Sequence, residues 1–181
     1  MGSWLSSLFS NSEEHKILLL GLDNAGKTTI LYYLALNEVV YTRPTIGSNF
    51  EELVHKNIKF QCWDIGGQEN LRKSWSAYYA DTSAVIFVVD STDHERLSTT
   101  RKELFKIIAD EKLSDTVCLV FANKMDIKTS MKPKQLIKAL KLTEIKNHDW
   151  AIKPCCALTG EGLQEGWEWM ANKIQEKKNE K

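Results

Sequence analysis

The chain predicts an α/β domain: a mostly parallel sheet of six strands, doubly wound, with helices on both faces. Three observations predict it. Ala84 to Val89 and Val117 to Ala122 are unbroken apolar runs, the pattern of strands buried on both faces. Between them Leu97, Leu104, Phe105 and Ile108 mark one stripe of a long helix. Near the start, the apolar run Ile17 to Leu20 enters Gly21-Leu22-Asp23-Asn24-Ala25-Gly26-Lys27-Thr28, and Thr29 to Leu36 then reads as a helix. Strand, G-x-x-x-x-G-K-T loop and helix are the order in which a phosphate-binding loop occurs.

With 181 residues, 43% hydrophobic and 27% charged, the chain suits one well-buried domain. Lys and Arg number 24, as do Asp and Glu, so no global field draws it to nucleic acid. No apolar run approaches the roughly 18 residues needed to span a bilayer. No basic n-region and long h-region mark a cleavable signal. Cys62, Cys118, Cys155 and Cys156 lie in or beside predicted strands without paired C-x-x-C spacing, which predicts buried reduced thiols rather than a zinc site.

Residues 1–14 read as a separate N-terminal segment. Met1-Gly2-Ser3-Trp4-Leu5-Ser6 matches M-G-x-x-x-S, so Gly2 is a candidate myristoylation site. Trp4, Leu5, Leu8 and Phe9 fall on one side of a short amphipathic helix. One myristoyl chain binds membrane marginally, with an association constant of roughly 10⁴ per molar, so a second signal is required. Lys and Arg are absent before Lys16, which leaves the apolar helix face as that signal.

Residues 15–181 read as the nucleotide-binding domain. In the loop, glycine lets successive N–H groups converge on one anion, and the helix N-terminus adds partial positive charge. Asp23, Asn24, Ala25, Gly26, Lys27, Thr28 and Thr29 are therefore candidate nucleotide contacts. Lys27 can reach the outer phosphates, and the Thr28 hydroxyl can ligate a magnesium ion. The helix ends near Asn37. Residues 38–47 lack periodicity and contain Pro44-Thr45-Ile46-Gly47, where Thr45 can complete the magnesium shell and touch a terminal phosphate. Phe50 to Val54 and Ile58 to Trp63 predict a hairpin that runs into Asp64-Ile65-Gly66-Gly67-Gln68. Asp64 can stand behind the magnesium, outside its direct ligands. Gly67 lets an N–H approach the terminal phosphate, and Gln68 suits the orientation of an attacking water.

Asn70 to Tyr79 predicts a helix carrying Leu71, Trp75, Tyr78 and Tyr79. The strand Val117 to Ala122 opens into Asn123-Lys124-Met125-Asp126, or N-K-x-D. The Asp126 carboxylate can accept hydrogen bonds from N1–H and the amine of guanine; adenine presents the opposite pattern and would leave it unpaired. Asn123 can tie the base site to the phosphate loop, and the stem of Lys124 can cover the ring. Six lysines between Lys128 and Lys146, with Glu144 the lone acid, read either as a solvated face or as a dock for an acidic partner or lipid. Ala151 to Cys155 is the last strand. Cys156 and Ala157 follow it, where the Ala157 N–H can meet the guanine O6. Leu163, Trp167, Met170 and Ile174 space a final helix, with Gln175 to Lys181 a polar, fraying end.

Together these motifs resemble a small GTPase, and more narrowly the ADP-ribosylation factor (Arf) and Arf-like family. Ile46-Gly47-Ser48-Asn49, Asn37-Glu38-Val39-Val40 and Cys155 to Gly162 resemble one Arf-like branch in particular. The resemblance implies a P-loop small G domain that binds GTP or GDP with Mg²⁺ and hydrolyses GTP slowly, with Gln68 and Lys27 as catalytic groups. It implies an exchange factor, an activating protein and effectors that meet residues 38–50 and 64–79, and a monomer. It places the protein in cytosol and, with GTP, on the cytoplasmic face of Golgi-type membranes in vesicle trafficking. In this family the hairpin of residues 50–63 slides on GTP binding and expels the N-terminal helix onto membrane. Many Arf proteins carry an aromatic residue after Ile-Gly, in an effector-binding triad with residues matched by Trp63 and Tyr78. Here Ser48 stands there, and Phe50 lies two residues on along the same face. Met125 stands where relatives usually have Gln. No arginine is placed as a finger in cis; Arg43 is the nearest. The other readings of the residues are an ATP-dependent phosphoryl-transfer enzyme, which Asp126 opposes, and a nucleotide-locked binding protein, which Gln68 opposes.

Overall fold

The structure, a computed structural model, describes residues 13–39, 42–55 and 58–180. The segment carrying Gly2, Trp4, Leu5, Leu8 and Phe9 lies outside them. Six strands, β1 (Glu14–Leu20), β2 (Ser48–His55), β3 (Ile58–Ile65), β4 (Thr82–Asp90), β5 (Val117–Asn123) and β6 (Trp150–Pro154), form one sheet in the order β2-β3-β1-β4-β5-β6. Only the β2–β3 hairpin pairs antiparallel; the other neighbours are parallel.

The helices α1 (Lys27–Leu36), α2 (Leu97–Ile108), α3 (Pro133–Ala139) and α4 (Leu163–Asn179) cover both faces. Alternation along the strands explains the unbroken apolar runs. Ile17 and Leu19, Ile86 and Val88, and Leu119 and Phe121 pack toward α1 and α4. Leu18 and Leu20, Val85 and Phe87, and Cys118 and Val120 pack toward α2, α3 and Trp75. Each central strand thus has two buried faces and no place for a polar residue. The sequence order reverses direction at β1, so the carboxyl ends of β1, β3, β4 and β5 open onto one crevice, the usual ligand position in such sheets.

Three elements differ from expectation. The predicted helix over Asn70 to Tyr79 is a 3-10 segment, Arg72–Tyr78. Its bonds close three residues back, as from Ser74 N to Leu71 O and Tyr79 N to Ser76 O. The segment is pinned by side chains along its length: the Trp75 indole donates to Gly66 O, and Lys16 Nζ donates to Tyr78 O. Second, α4 does not fray at Gln175 but continues to Asn179. Gln175 donates to Glu13, Lys177 pairs with Asp115 and Asp149, and Lys178 pairs with Glu13. Third, β2 and β3 reach two residues beyond the predicted hairpin at the nucleotide end, to Ser48 and Ile65. The lysines of the 128–146 block are exposed, and among the described residues only Lys141 of them pairs with an acid, Glu144. All four cysteines are buried free thiols. Among the described residues no helix is long and apolar enough to cross a membrane.

Candidate functional site

A cavity of about 340 Å³ opens at the carboxyl ends of the strands. Asp23, Asn24, Gly26, Lys27, Thr28, Thr29, Thr45, Gly67, Gln68, Asn123, Lys124, Asp126, Cys156 and Ala157 all line it. These residues come from five separated stretches of sequence, and the fold brings every one to the same space. Ala25 is buried behind the loop, and its carbonyl accepts from Asn123 Nδ2 at 2.8 Å. Thr42, Arg43, Pro44, Ile127 and Leu158 complete the lining.

The loop bends as its glycines require. Gly26 caps α1 with φ 98°, a left-handed conformation, and a Cβ there would lie 2.3 Å from Asn123 Nδ2. Lys27, nearly buried, donates to Gly21 O and Leu22 O, each at 3.0 Å. Burial pushes its ammonium pKa down to about 8, against the pull of Asp64 and Asp23. A cation held at this cost in a cavity lined by backbone N–H groups is suited to an anion.

Asp64, one residue before the end of β3, is fully buried. Its Oδ2 accepts from Thr28 at 2.5 Å, Asn49 at 3.2 Å and Thr45 at 3.3 Å, and the Thr28 and Thr45 hydroxyls lie 2.9 Å apart. Its Oδ1 is buried with no hydrogen-bond partner among the described residues. Two hydroxyls backed by a buried carboxylate make an all-oxygen site, which fits a hard ion such as Mg²⁺ that takes its remaining ligands from water and phosphate.

The base end is a network. Asn123 is buried; its Oδ1 accepts from Ala157 N at 3.0 Å and from Cys155 Sγ at 3.6 Å. With its bond to Ala25, the side chain joins three loops. The Ala157 N–H expected to face guanine O6 is therefore engaged by Asn123. Cys156 Sγ donates to Asp126 Oδ1 at 3.3 Å. Lys124 adopts φ 66° and pairs with Asp90 at 2.6 Å, which fixes its stem along the cavity wall. Burial alone would raise the Asp90 carboxyl, but the hydrogen bonds from Lys124 and Thr92 hold it below its ordinary value.

Sequence reading missed Asp90, Arg72 and Arg96. Asp90 had a signal, being the acid at a strand end in register with Asn123. The arginines had none. Arg96 donates to Asp23 Oδ1 at 2.9 Å and Asp23 O at 3.2 Å, and Arg72 donates to Gly67 O at 2.8 Å. Both are thereby held. Arg43 lines the cavity with no ion pair among the described residues.

The model of the ADP-ribosylation factor family matches residues 1–174. Human ADP-ribosylation factor-like protein 5A is 58% identical over 165 residues, covering 91% of this chain and 92% of that protein. ADP-ribosylation factor-like protein 5 of Dictyostelium discoideum is 49% identical over 180 residues, covering 96% of this chain and 98% of the relative. These relatives agree with the branch resemblance carried by residues 37–40, 46–49 and 155–162. Among solved structures, the Arl6 (BBS3) small GTPase of Trypanosoma brucei, with bound nucleotide analogue GppNp, superposes with TM-score 0.85 at 31% identity. That match covers 91% of this chain and 99% of the other.

Proposed function

We propose, on the premise that this chain belongs to the ADP-ribosylation factor family of small GTPases, that it is a membrane-recruited switch whose output is an effector held only in the GTP state. As a member of that family it binds GTP and GDP with Mg²⁺ and hydrolyses GTP. One observation carries the reading: the four motif segments, spread along the chain from Asp23 to Asp126, line a single cavity.

In this reading the N–H groups of residues 24 and 26–29 and the Lys27 ammonium hold the phosphates, while Asp23 N–H is committed to Gly67 O. Asp126 selects guanine, with Asn123, Lys124, Cys156 and Ala157 around the base. Magnesium, when bound, neutralises phosphate charge; Thr28 and Thr45 would hold it, with Asp64 behind them. Gln68 orients the attacking water. Arg72 and Arg96 are committed elsewhere, so hydrolysis is slow until an activating protein supplies an arginine, an addition worth roughly 10³–10⁵ in rate.

Effectors, exchange factor and activating protein read residues 38–50 and 64–79. Phe50, Trp63 and Tyr78 stand in a row there, with ring centroids 5.0 Å and 5.9 Å apart. Ser48 accepts from the Tyr78 hydroxyl at 3.4 Å. The exposed aromatic is thus shifted two residues along β2, and the partner surface shifts with it. The hairpin slides by an even number of residues, because an odd step would turn the buried Leu53, Phe60 and Cys62 outward. Acylated Gly2 and the Trp4, Leu5, Leu8 and Phe9 face then bind the cytoplasmic side of Golgi-type membranes in vesicle trafficking. The protein works as a monomer, without nucleic acid.

The test is flotation of the myristoylated protein with liposomes. GppNHp should drive it to the membrane fraction and GDP should return it to solution. Equal partition in both states would refute membrane switching. In parallel, single-turnover hydrolysis with cell extract should exceed the intrinsic rate at least tenfold, and Gln68→Leu should abolish the stimulated rate. A Gln68→Leu protein that is stimulated normally would refute the role of Gln68.

A further inference from the structure

We infer that Arg72 and Trp75 are positioning residues that let the site distinguish a triphosphate from a diphosphate, by fixing the two peptide planes on either side of Gly67. The inference rests on the reading of Gly67 as the contact to a terminal phosphate and adds what aims that contact. Gly67 lines the cavity, and its N–H has no hydrogen-bond partner among the described residues. That N–H belongs to the peptide whose carbonyl is Gly66 O. The buried Trp75 indole donates to Gly66 O at 3.0 Å. In a trans peptide the N–H points opposite to the C=O, so anchoring Gly66 O on Trp75 turns the Gly67 N–H away from the core.

The next peptide is anchored separately. Gly67 O accepts from Arg72 Nε at 2.8 Å and from Asp23 N at 3.1 Å. Arg72 also reaches Asp23 Oδ1 at 3.4 Å, with its side chain 9% exposed. Arg96 grips Asp23 from the other side, through Oδ1 and the backbone carbonyl. Gly67 is therefore clasped directly to the phosphate loop. A Cβ at this position would fall 2.4 Å from Gly21 O and 2.5 Å from Lys27 Nζ, so the glycine backbone itself is what stands beside the ammonium. Both anchors come from the short Arg72–Tyr78 segment, which explains why that segment is wound as 3-10: it holds Arg72 and Trp75 at fixed reach from two successive carbonyls.

A diphosphate does not extend to Gly67, so loosening it should leave GDP binding intact. The experiment measures Kd for fluorescent GDP and GppNHp in magnesium buffer, using wild type, Trp75→Phe, Arg72→Ala and Arg72→Lys in the full chain. Trp75→Phe keeps an aromatic ring and removes one neutral donor; it should weaken GppNHp about fivefold relative to GDP. Arg72→Ala removes a charged donor and should weaken GppNHp about tenfold or more relative to GDP. Arg72→Lys should recover part of that loss, because one ammonium can still reach Gly67 O. Preserved GDP affinity in each variant shows that it is folded. Equal weakening of both nucleotides, or no change in their ratio, would overturn the positioning role. Failure of the wild type to bind either nucleotide would instead break the underlying reading, and the inference with it.

Discussion

Asn123 is the residue on which the base loop, the phosphate loop and the loop after β6 all depend. Replacing it with Ala deletes the donor to Ala25 O and the acceptor for Ala157 N–H. Each backbone group left unpaired in a buried place costs about 1–3 kcal/mol, so the pair should cost roughly 2–6 kcal/mol. For a domain of this size 1 kcal/mol moves Tm by about 2–4 °C, which predicts a fall of roughly 4–24 °C. Gly26→Ala attacks the same amide from the other side, since its Cβ would lie 2.3 Å from Asn123 Nδ2. It also pays the left-handed strain of φ 98°, of order 1 kcal/mol or more. The decisive assay is a double-mutant cycle by denaturant unfolding. Truncated to Ala, residue 123 no longer obstructs the new methyl group, so the two losses should be less than additive by about 1 kcal/mol or more. Strict additivity, or a single Asn123→Ala variant with unchanged Tm, would refute the claim that this amide ties the loops together.

Three other outcomes follow from the same geometry. Burial holds the Lys27 pKa down to about 8, and a bound phosphate favours the charged form, so nucleotide binding should take up more protons as pH rises through that value. Calorimetry of GDP binding in two buffers should show uptake growing from pH 7.5 to 9 and affinity falling with it; flat uptake would contradict this. Asp64→Asn removes the buried carboxylate charge behind the Thr28 and Thr45 hydroxyls, and should raise at least several-fold the magnesium concentration needed to retain nucleotide. Titration of nucleotide release against magnesium checks it, and an unchanged midpoint would contradict it. Gly166→Ala gains about 1 kcal/mol of helix propensity. Its Cβ, however, would sit 2.4 Å from the Phe121 ring, an overpacking of about 1–3 kcal/mol. Tm should therefore drop by a few degrees, and a rise would show that α4 can move off β5.

Most of the fold was legible because burial dictates pattern. β4 and β5 have two covered faces and so no polar position, and their apolar runs could hardly be anything else. The site was legible for a related reason: a phosphate cradle needs glycine and lysine at fixed local spacing, so Gly21 to Thr28 announces itself. What could not be read was contact between distant side chains. Arg72 and Arg96 meet at Asp23 from 49 and 73 residues away, and no local spacing encodes that meeting. The winding of residues 72–78 was misjudged because its aromatic spacing fits either helix; the choice was made by Gly66 O and Lys16, which lie elsewhere in the chain. The extension of α4 was missed for the same reason, since its polar end is held by Glu13, Asp115 and Asp149.

Selection of guanine through Asp126 is the central property of the cavity, and competition measures it most directly. Protein stripped of nucleotide should take up fluorescent GDP in magnesium, lose it to unlabelled GDP or GTP, and keep it against a thousandfold excess of ATP. Asp126→Asn should erase most of that preference. Displacement by ATP as readily as by GTP, or an Asp126→Asn variant with undiminished preference for guanine, would contradict it.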